Sequence, residues 1–223
     1  MFKVRDAGPL PELEAGQYLP MEIEVAGIEE SVRRTYLLPG APRHYQCRIT
    51  VKREPQGLVS RHLHDHTEPG AIIDTCRPTG GFMMSCNTCS VALVSAGVCV
   101  TPMVSMLQAL AAPGDESPVW LVHGARGGGH HPPAHEILEL TVSRAGAQVH
   151  IAYSRPCPEN EAGIEYDSKG RVDGAHLASL IEDVEAHYFS CGPTRFMGDI
   201  QTVLERRNIP SEYIHMETFG SVG

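Results

Sequence analysis

Val91-Ala92-Leu93-Val94-Ser95-Ala96-Gly97-Val98-Cys99-Val100-Thr101-Pro102-Met103 reads as a strand, a tight turn and the opening of a helix. The run from Val91 to Ser95 is apolar without alternation, as expected of a strand covered on both faces. Beyond Pro102, the residues Met103, Met106, Leu107 and Leu110 fall at i, i+3, i+4 and i+7, one face of a helix. A glycine between such a strand and helix marks a place where a phosphate can meet backbone N–H groups and the positive helix end.

Downstream the same rhythm repeats. Val119-Trp120-Leu121-Val122-His123 and Val149-His150-Ile151-Ala152-Tyr153 are strand candidates, and Leu177, Leu180, Ile181 and Val184 carry helical spacing. Strand-like Tyr188-Phe189-Ser190-Cys191 follows, then a helix from Phe196 to Arg207 stopped by Asn208 and Pro210, then Tyr213-Ile214-His215-Met216. Strand and helix in alternation imply a parallel sheet with helices on both faces. Cys191-Gly192-Pro193 again closes a strand and opens a helix, so this turn and the one at Gly97 belong at the carboxyl edge of the sheet.

Upstream the period is two. Met21, Ile23 and Val25 alternate with Glu22 and Glu24, and Tyr45, Cys47, Ile49 and Val51 alternate with Gln46, Arg48, Thr50 and Lys52. Turn formers at Pro39-Gly40-Ala41-Pro42, Pro69-Gly70 and Gly80-Gly81 separate these runs, the pattern of an antiparallel barrel or sandwich. The residues before Gly16 are too polar and proline-rich to supply a first barrel strand. The change of period near Ser85–Ser90 divides the chain into a β-barrel domain, residues 1–86, and an α/β domain, residues 87–223.

A chain of 223 residues accommodates two such domains. The net charge of −9 argues against general affinity for nucleic acid or an anionic membrane. No apolar run approaches the ~20 residues of a membrane span, and Met1-Phe2-Lys3-Val4-Arg5-Asp6 has no leader-like stretch. Seven scattered cysteines suit a reducing compartment, so a cytoplasmic location is expected. Cys86-Asn87-Thr88-Cys89 is a lone thiol pair without the further ligands that a metal site needs, and the Cys-x₄-Cys-x₂-Cys spacing of a plant-type iron–sulfur cluster is absent. His130, His131 and His135 surround two prolines and read as a solvated loop; His62, His64 and His66 read as surface. No metal is expected. Lys52-Arg53-Glu54 taken alone is a solvated strand end, and Met103 and Met106 are core packing.

Several short motifs occur in a fixed order: Gly16-Gln17-Tyr18-Leu19, Arg34-Thr35-Tyr36, Val51-Lys52-Arg53-Glu54, Gly57-Leu58-Val59-Ser60, Thr101-Pro102-Met103, Cys191-Gly192-Pro193 and Glu217-Thr218-Phe219-Gly220. Together they resemble the flavin reductase module of flavohaemoglobins, within the ferredoxin–NADP reductase superfamily. They are still more similar to reductase modules fused elsewhere to MOSC and plant-type ferredoxin domains, a match that Val119–Arg126 and Tyr153-Ser154-Arg155-Pro156 strengthen. The resemblance implies a Greek-key flavin-binding barrel, a nucleotide-binding α/β domain, and an enzyme that takes a hydride from NADH or NADPH. FAD is the implied flavin, with FMN also possible. The electrons would pass to a separate redox partner protein or a small-molecule acceptor.

Carried over by residue, the resemblance puts Arg34 at the flavin pyrophosphate and Tyr36 on the isoalloxazine ring. Leu37, Val51 and Lys52 would line the flavin, and Gly57, Val59 and Ser60 would hold its phosphates. Gly97, Thr101 and Pro102 would bind the nucleotide pyrophosphate, with Cys191, Gly192 and Pro193 near the nicotinamide. Glu217 and Phe219 would stand at the reactive flavin edge, and Tyr36, Cys191 and Glu217 are the implied catalytic set. Ser154 and Arg155 leave the choice between NADH and NADPH open. The chain departs from the family at Leu37, where a hydroxyl is usual, and at Cys99, where a second glycine is usual. It also departs at Thr79-Gly80-Gly81-Phe82 and in the run Gly127–Pro133. These departures support an alternative: a reductase-like fold without NAD(P)H oxidation, serving another ligand or docking role.

Overall fold

The computed structural model describes residues 2–3, 14–38, 46–84, 89–110, 117–130, 137, 139–140, 144 and 146–217. Tyr45, Cys86, His131, His135 and Phe219 lie outside that set. The chain forms two compact units, Met1–Met83 and Met84–Gly223.

The first unit is antiparallel. Strand β1 (Phe2–Lys3) pairs with β4 (Gln46–Cys47), and β2 (Tyr18–Ile23) lies between β3 (Val32–Leu37) and β5 (Asp74–Thr75). Alternation along β2 puts Leu19, Met21 and Ile23 in the core, joined by Val25, Leu38 and Val59. Helix α1 spans Leu58–Asp65. Two expectations are corrected here. Phe2–Lys3 does form a ladder, although the residues around it are polar. The alternating run from Tyr45 to Lys52 keeps a strand only at Gln46–Cys47 among the described residues, because Val51–Glu54 bonds to α1 instead of to a strand.

The second unit holds a six-stranded parallel sheet, ordered β11-β10-β6-β7-β8-β9. Its strands are β6 (Val91–Ala96), β7 (Val119–Ala125), β8 (Ala147–Tyr153), β9 (Ser168–Lys169), β10 (His187–Cys191) and β11 (Ile214–Glu217). Val91 to Val94 are fully buried, which explains the unbroken apolar run. Helices α2 (Val100–Leu110), α3 (Gly174–Leu180) and α4 (Thr194–Arg206) lie between strands of this sheet. Asn208 ends the last of them with φ 56, the left-handed conformation that asparagine tolerates. Helix α3 stops before Ile181, so Val184 is outside it and exposed, against its helical spacing. Leu177, Ile181, Tyr188, Ile200 and Leu204 pack together against the sheet. No helix among the described residues is long and apolar enough to cross a membrane.

Candidate functional site

In the first unit the candidates Gly57, Val59 and Ser60 lie at the start of α1. Gly57 precedes the helix with extended backbone, no side chain caps it, and no acidic residue occupies its first turn. The first N–H groups of a helix have no partner within it, so this end favours an anion. A Cβ at position 57 would collide with Ser60 Oγ and Glu54 Cβ, which fixes glycine there on steric grounds. The Ser60 hydroxyl accepts from Glu54 N–H at 3.2 Å and faces the Gly57 carbonyl at 3.5 Å. Val59 is buried in the core, so only its backbone can serve a ligand.

The stretch Val51–Glu54 is clipped to this helix by side chains. Arg53 grips Asp65 with Nε at 3.0 Å from Oδ1 and Nη2 at 2.8 Å from Oδ2, and His64 Nε2 lies 2.8 Å from the Val51 carbonyl oxygen. The Arg53 hydrogen bond holds the Asp65 carboxyl below its usual range. His64 is exposed, as the sequence reading expected, and Arg53 is exposed too; the bonds they make to Val51 and Asp65 escaped that reading. Lys52 pairs with Glu54 at 2.6 Å. On β3, Arg34 is exposed and its Nη1 donates to the Arg33 carbonyl at 2.8 Å. Tyr36 and Leu37 are half-buried at the end of the same strand. Burial pushes the Tyr36 phenol up against the opposing pull of Arg34, so the ring carries a neutral hydroxyl.

In the second unit, chain order reverses between β6 and β10: the sheet grows from β6 through β7 and β8, then resumes on the other side at β10. Ligands of open α/β sheets bind at such a switch point, beyond the carboxyl ends of the strands. Both turns singled out by sequence lie there. Gly97 opens the first with φ +65, a left-handed conformation that favours glycine, and continues as a 3-10 turn to Cys99 before α2. Thr101 and Pro102 are buried in the first turn of α2, and Thr101 Oγ1 donates to the Val98 carbonyl at 3.2 Å, so its hydroxyl is taken up within the turn. Cys191, Gly192 and exposed Pro193 form the second turn, with Pro193 at the N-cap of α4.

Register carries a row of polar side chains across the same edge. Glu217 pairs with Cys191, Cys191 with Ser95, and Ser95 with His123, so all four stand on one face of β11, β10, β6 and β7. Ser95 Oγ and His123 Nδ1 are 2.9 Å apart, and both residues are fully buried. Burial raises the Glu217 carboxyl above its ordinary value. Cys99 does not present its side chain to the turn's exterior. It is 3% exposed, and interaction with fully buried Cys191 lowers its thiol pKa against the opposing effect of burial. Neither the Ser95–His123 contact nor the Cys99–Cys191 interaction was visible in the sequence, because each joins residues that only the parallel register brings together. Ser154 bonds back to the Ala125 carbonyl through N–H at 2.9 Å, and Arg155 beside it is exposed.

Comparison with known proteins agrees with this architecture. Residues 93–202 match the family described as the Oxidoreductase NAD-binding domain. The whole chain belongs to the ferredoxin–NADP reductase superfamily. Within it, the chain is 34% identical over 213 residues to the flavohemoprotein of Deinococcus radiodurans, covering 96% of this chain and 53% of that protein. It is 32% identical over 220 residues to the flavohemoprotein of Bacillus subtilis, covering 98% and 54%. The chain thus spans about half the length of the curated relatives it matches. Among solved structures, it resembles the flavohem-like FAD/NAD binding domain of nitric oxide dioxygenase from Vibrio cholerae at TM-score 0.86 and 28% identity, covering 98% of this chain and 90% of that one. The flavohemoglobin of Malassezia yamatoensis, solved with bound FAD and heme, aligns at TM-score 0.83 and 26% identity, covering 98% and 55%.

Proposed function

We propose that this chain is a flavin-dependent oxidoreductase that accepts a hydride from NADH or NADPH and delivers electrons to a separate redox protein or small-molecule acceptor. The observation that carries this reading is the convergence of two βα turns on the switch point between β6 and β10, within a chain whose other unit offers an uncapped helix N-terminus. Residues 1–86 would hold the flavin and residues 87–223 the nicotinamide nucleotide. FAD is preferred over FMN because the similar Malassezia flavohemoglobin binds FAD. A bound flavin supplies the ability to take up two electrons as a hydride and release them singly.

The residues have separable tasks. Arg34 and the α1 N-terminus at Gly57, Val59 and Ser60 neutralise the flavin's phosphates. Tyr36, Leu37, Val51 and Lys52 line its ring, with Leu37 excluding water where relatives place a hydroxyl. The backbone at Gly97, Thr101 and Pro102 receives the nucleotide pyrophosphate. Gly192 and Pro193 shape the floor beside Cys191, and the family resemblance assigns Glu217 and Phe219 to the reactive flavin edge. Half-buried Glu217, with its carboxyl raised, is placed to hold a proton. The inward course of Cys99 supports retained nucleotide binding, since its side chain leaves the outer face of the turn open. A cytoplasmic location suits the reaction's donors.

The test is an anaerobic stopped-flow trace of flavin-loaded protein mixed with NADH and, separately, NADPH. Rapid bleaching of the flavin absorbance by one of them is expected and identifies the donor. A bound flavin that neither nucleotide reduces would refute the proposal.

A further inference from the structure

We infer that His62 and His66, one turn apart at the carboxyl end of α1, form a chelating site for a borderline transition-metal cation of the Zn²⁺, Ni²⁺ and Cu²⁺ class. The backbone closes the turn between them, because the His66 N–H donates to the His62 carbonyl at 2.9 Å. Residues spaced i, i+4 lie one above the other on a helix face. Val59 and Leu63 turn the neighbouring stripe into the core, which leaves the histidines at its rim, His62 half-buried and His66 exposed. The alternation of His62, His64 and His66 in sequence hides this pairing, since His64 bonds instead to the Val51 carbonyl.

The ring geometry suits one shared ion. The two centroids stand 5.8 Å apart, with the ring planes inclined at 40°. Zinc binds an imidazole nitrogen at about 2.0–2.1 Å, so two rings on one tetrahedral ion have centroids about 5 Å apart. Closing a difference of under about 1 Å asks only for rotation of side chains at the surface.

Availability separates this pair from the other close histidines. His150 Nε2 is already bonded to Ser168, and His187 Nδ1 to His215. Among the described residues nothing hydrogen-bonds a ring nitrogen of His62 or His66; Thr67 Oγ1 reaches only the His62 backbone carbonyl, at 3.3 Å. Charge agrees with the rings. The carboxyl end of a helix is the negative pole of its dipole, and the chain as a whole carries a net charge of −9. Asp65 is gripped by Arg53, and no group of three or more His, Cys, Asp or Glu among the described residues is arranged to hold an ion. Water therefore completes the coordination. Imidazole donors favour Zn²⁺, Ni²⁺ and Cu²⁺ over Mg²⁺, which prefers oxygen. An ion held there staples the last turn of α1, and the site does not depend on the proposed function.

The experiment titrates the metal-free full chain with Zn²⁺ and with Ni²⁺ by calorimetry, in the absence and presence of excess Mg²⁺. A binding event near equimolar ratio, unaffected by Mg²⁺, is expected. His62→Gln and His66→Gln should each weaken it at least about tenfold. A second readout on the unaltered chain stands even if a variant fails to fold. Diethyl pyrocarbonate should modify His62 and His66 in the metal-free chain, and saturating Zn²⁺ should slow both modifications at least about tenfold, as mapped by peptide mass spectrometry. Both variants binding Zn²⁺ as tightly as the parent, or His62 and His66 modified equally fast with and without Zn²⁺, overturns the site. Protection of one histidine alone overturns the chelate. Amide exchange across residues 58–66 should also slow with Zn²⁺, and unchanged exchange overturns the stapling of α1.

Discussion

The two units place their site residues by different means. In the α/β unit the backbone ladder is sufficient: β6 pairs with β7 over six residues and with β10 over five, and Glu217, Cys191, Ser95 and His123 align because the register aligns them. In the antiparallel unit the ladders β1–β4 and β2–β5 are two residues long, and β3 exposes Arg33, Arg34 and Thr35. There the segment that would line a flavin is held by Ser60, His64 and the Arg53–Asp65 pair. A site set by register resists surface change and yields to core change. One set by side-chain clips does the reverse.

Core change in the α/β unit therefore has the largest expected effect. A Cβ on Gly174 of α3 would collide with the Val203 side chain and come within 3.1 Å of the Asp199 carbonyl on α4. Gly174→Ala should cost about 2–3 kcal/mol, as overpacking does where backbone cannot yield. Trp120 on β7 is the sole tryptophan, so its fluorescence during chemical denaturation reports this unit. Gly81→Ala in the antiparallel unit meets nothing within 4 Å and should leave that midpoint in place. A Gly174→Ala chain with the parental midpoint would mean that the helices α3 and α4 give way easily, and the contrast between the units would lose its basis.

The next effect belongs to the clipped segment. Ser60→Ala removes the acceptor for Glu54 N–H and frees the chain before α1. A lost hydrogen bond of this kind is worth about 1 kcal/mol, so flavin affinity, measured by equilibrium dialysis, should fall by roughly fivefold to tenfold. The Trp120 transition measured without flavin should not move. Unaltered affinity would show that the helix N-terminus acts without its clip.

The same difference explains what the sequence disclosed. Burial on both faces writes itself as an unbroken apolar run, so Val91–Ser95 and the strands after it are readable, and the turns at Gly97 and Cys191 follow from strand–helix order. Met21, Ile23 and Val25 are readable because the apolar residues alternate along β2 and just beyond it. The clips carry no period: nothing in the spacing of Arg53 and Asp65, or of Val51 and His64, distinguishes them from solvated polar residues. Cys99 and Cys191 are distant in sequence, and only the pairing of β6 with β10 brings the two into interaction. Cys99 was legible as a departure from glycine, and its inward direction was not.

Acid separates the units by a smaller margin. Burial lowers the pKa of His150 and His215 from 6.5; nearby His176 lowers the first further and Asp167 opposes it, while His187 lowers the second further. A histidine whose folded pKa is depressed binds fewer protons than in the unfolded chain, so stability is intact above about pH 6.5 and declines as pH falls through that value. Both rings remain substantially solvated, which limits the loss to less than about 1 kcal/mol between pH 7.5 and 5.5. The Trp120 midpoint should drift downward over that interval, and His215→Asn should flatten the drift. A midpoint that rises on acidification would contradict the assignment of these histidines as neutral.

The smallest effect tests the Arg53–Asp65 pair itself. Both groups are solvated, and exposed ion pairs contribute little to overall stability. The Asp65 carboxyl is depressed by Arg53, so whatever the pair contributes is present above the ordinary carboxyl range and disappears as pH falls below the depressed value. Arg53→Gln should leave the global midpoint at pH 7 within experimental scatter. Its trace belongs in hydrogen exchange: peptides covering residues 51–65 should exchange faster by no more than about fivefold, while peptides covering β10 are unchanged. If exchange rose equally in both, Arg53 would be supporting the whole chain. If it rose in neither, Ser60 and His64 would hold the segment without it, and the antiparallel site would depend on fewer side chains than its hydrogen bonds suggest.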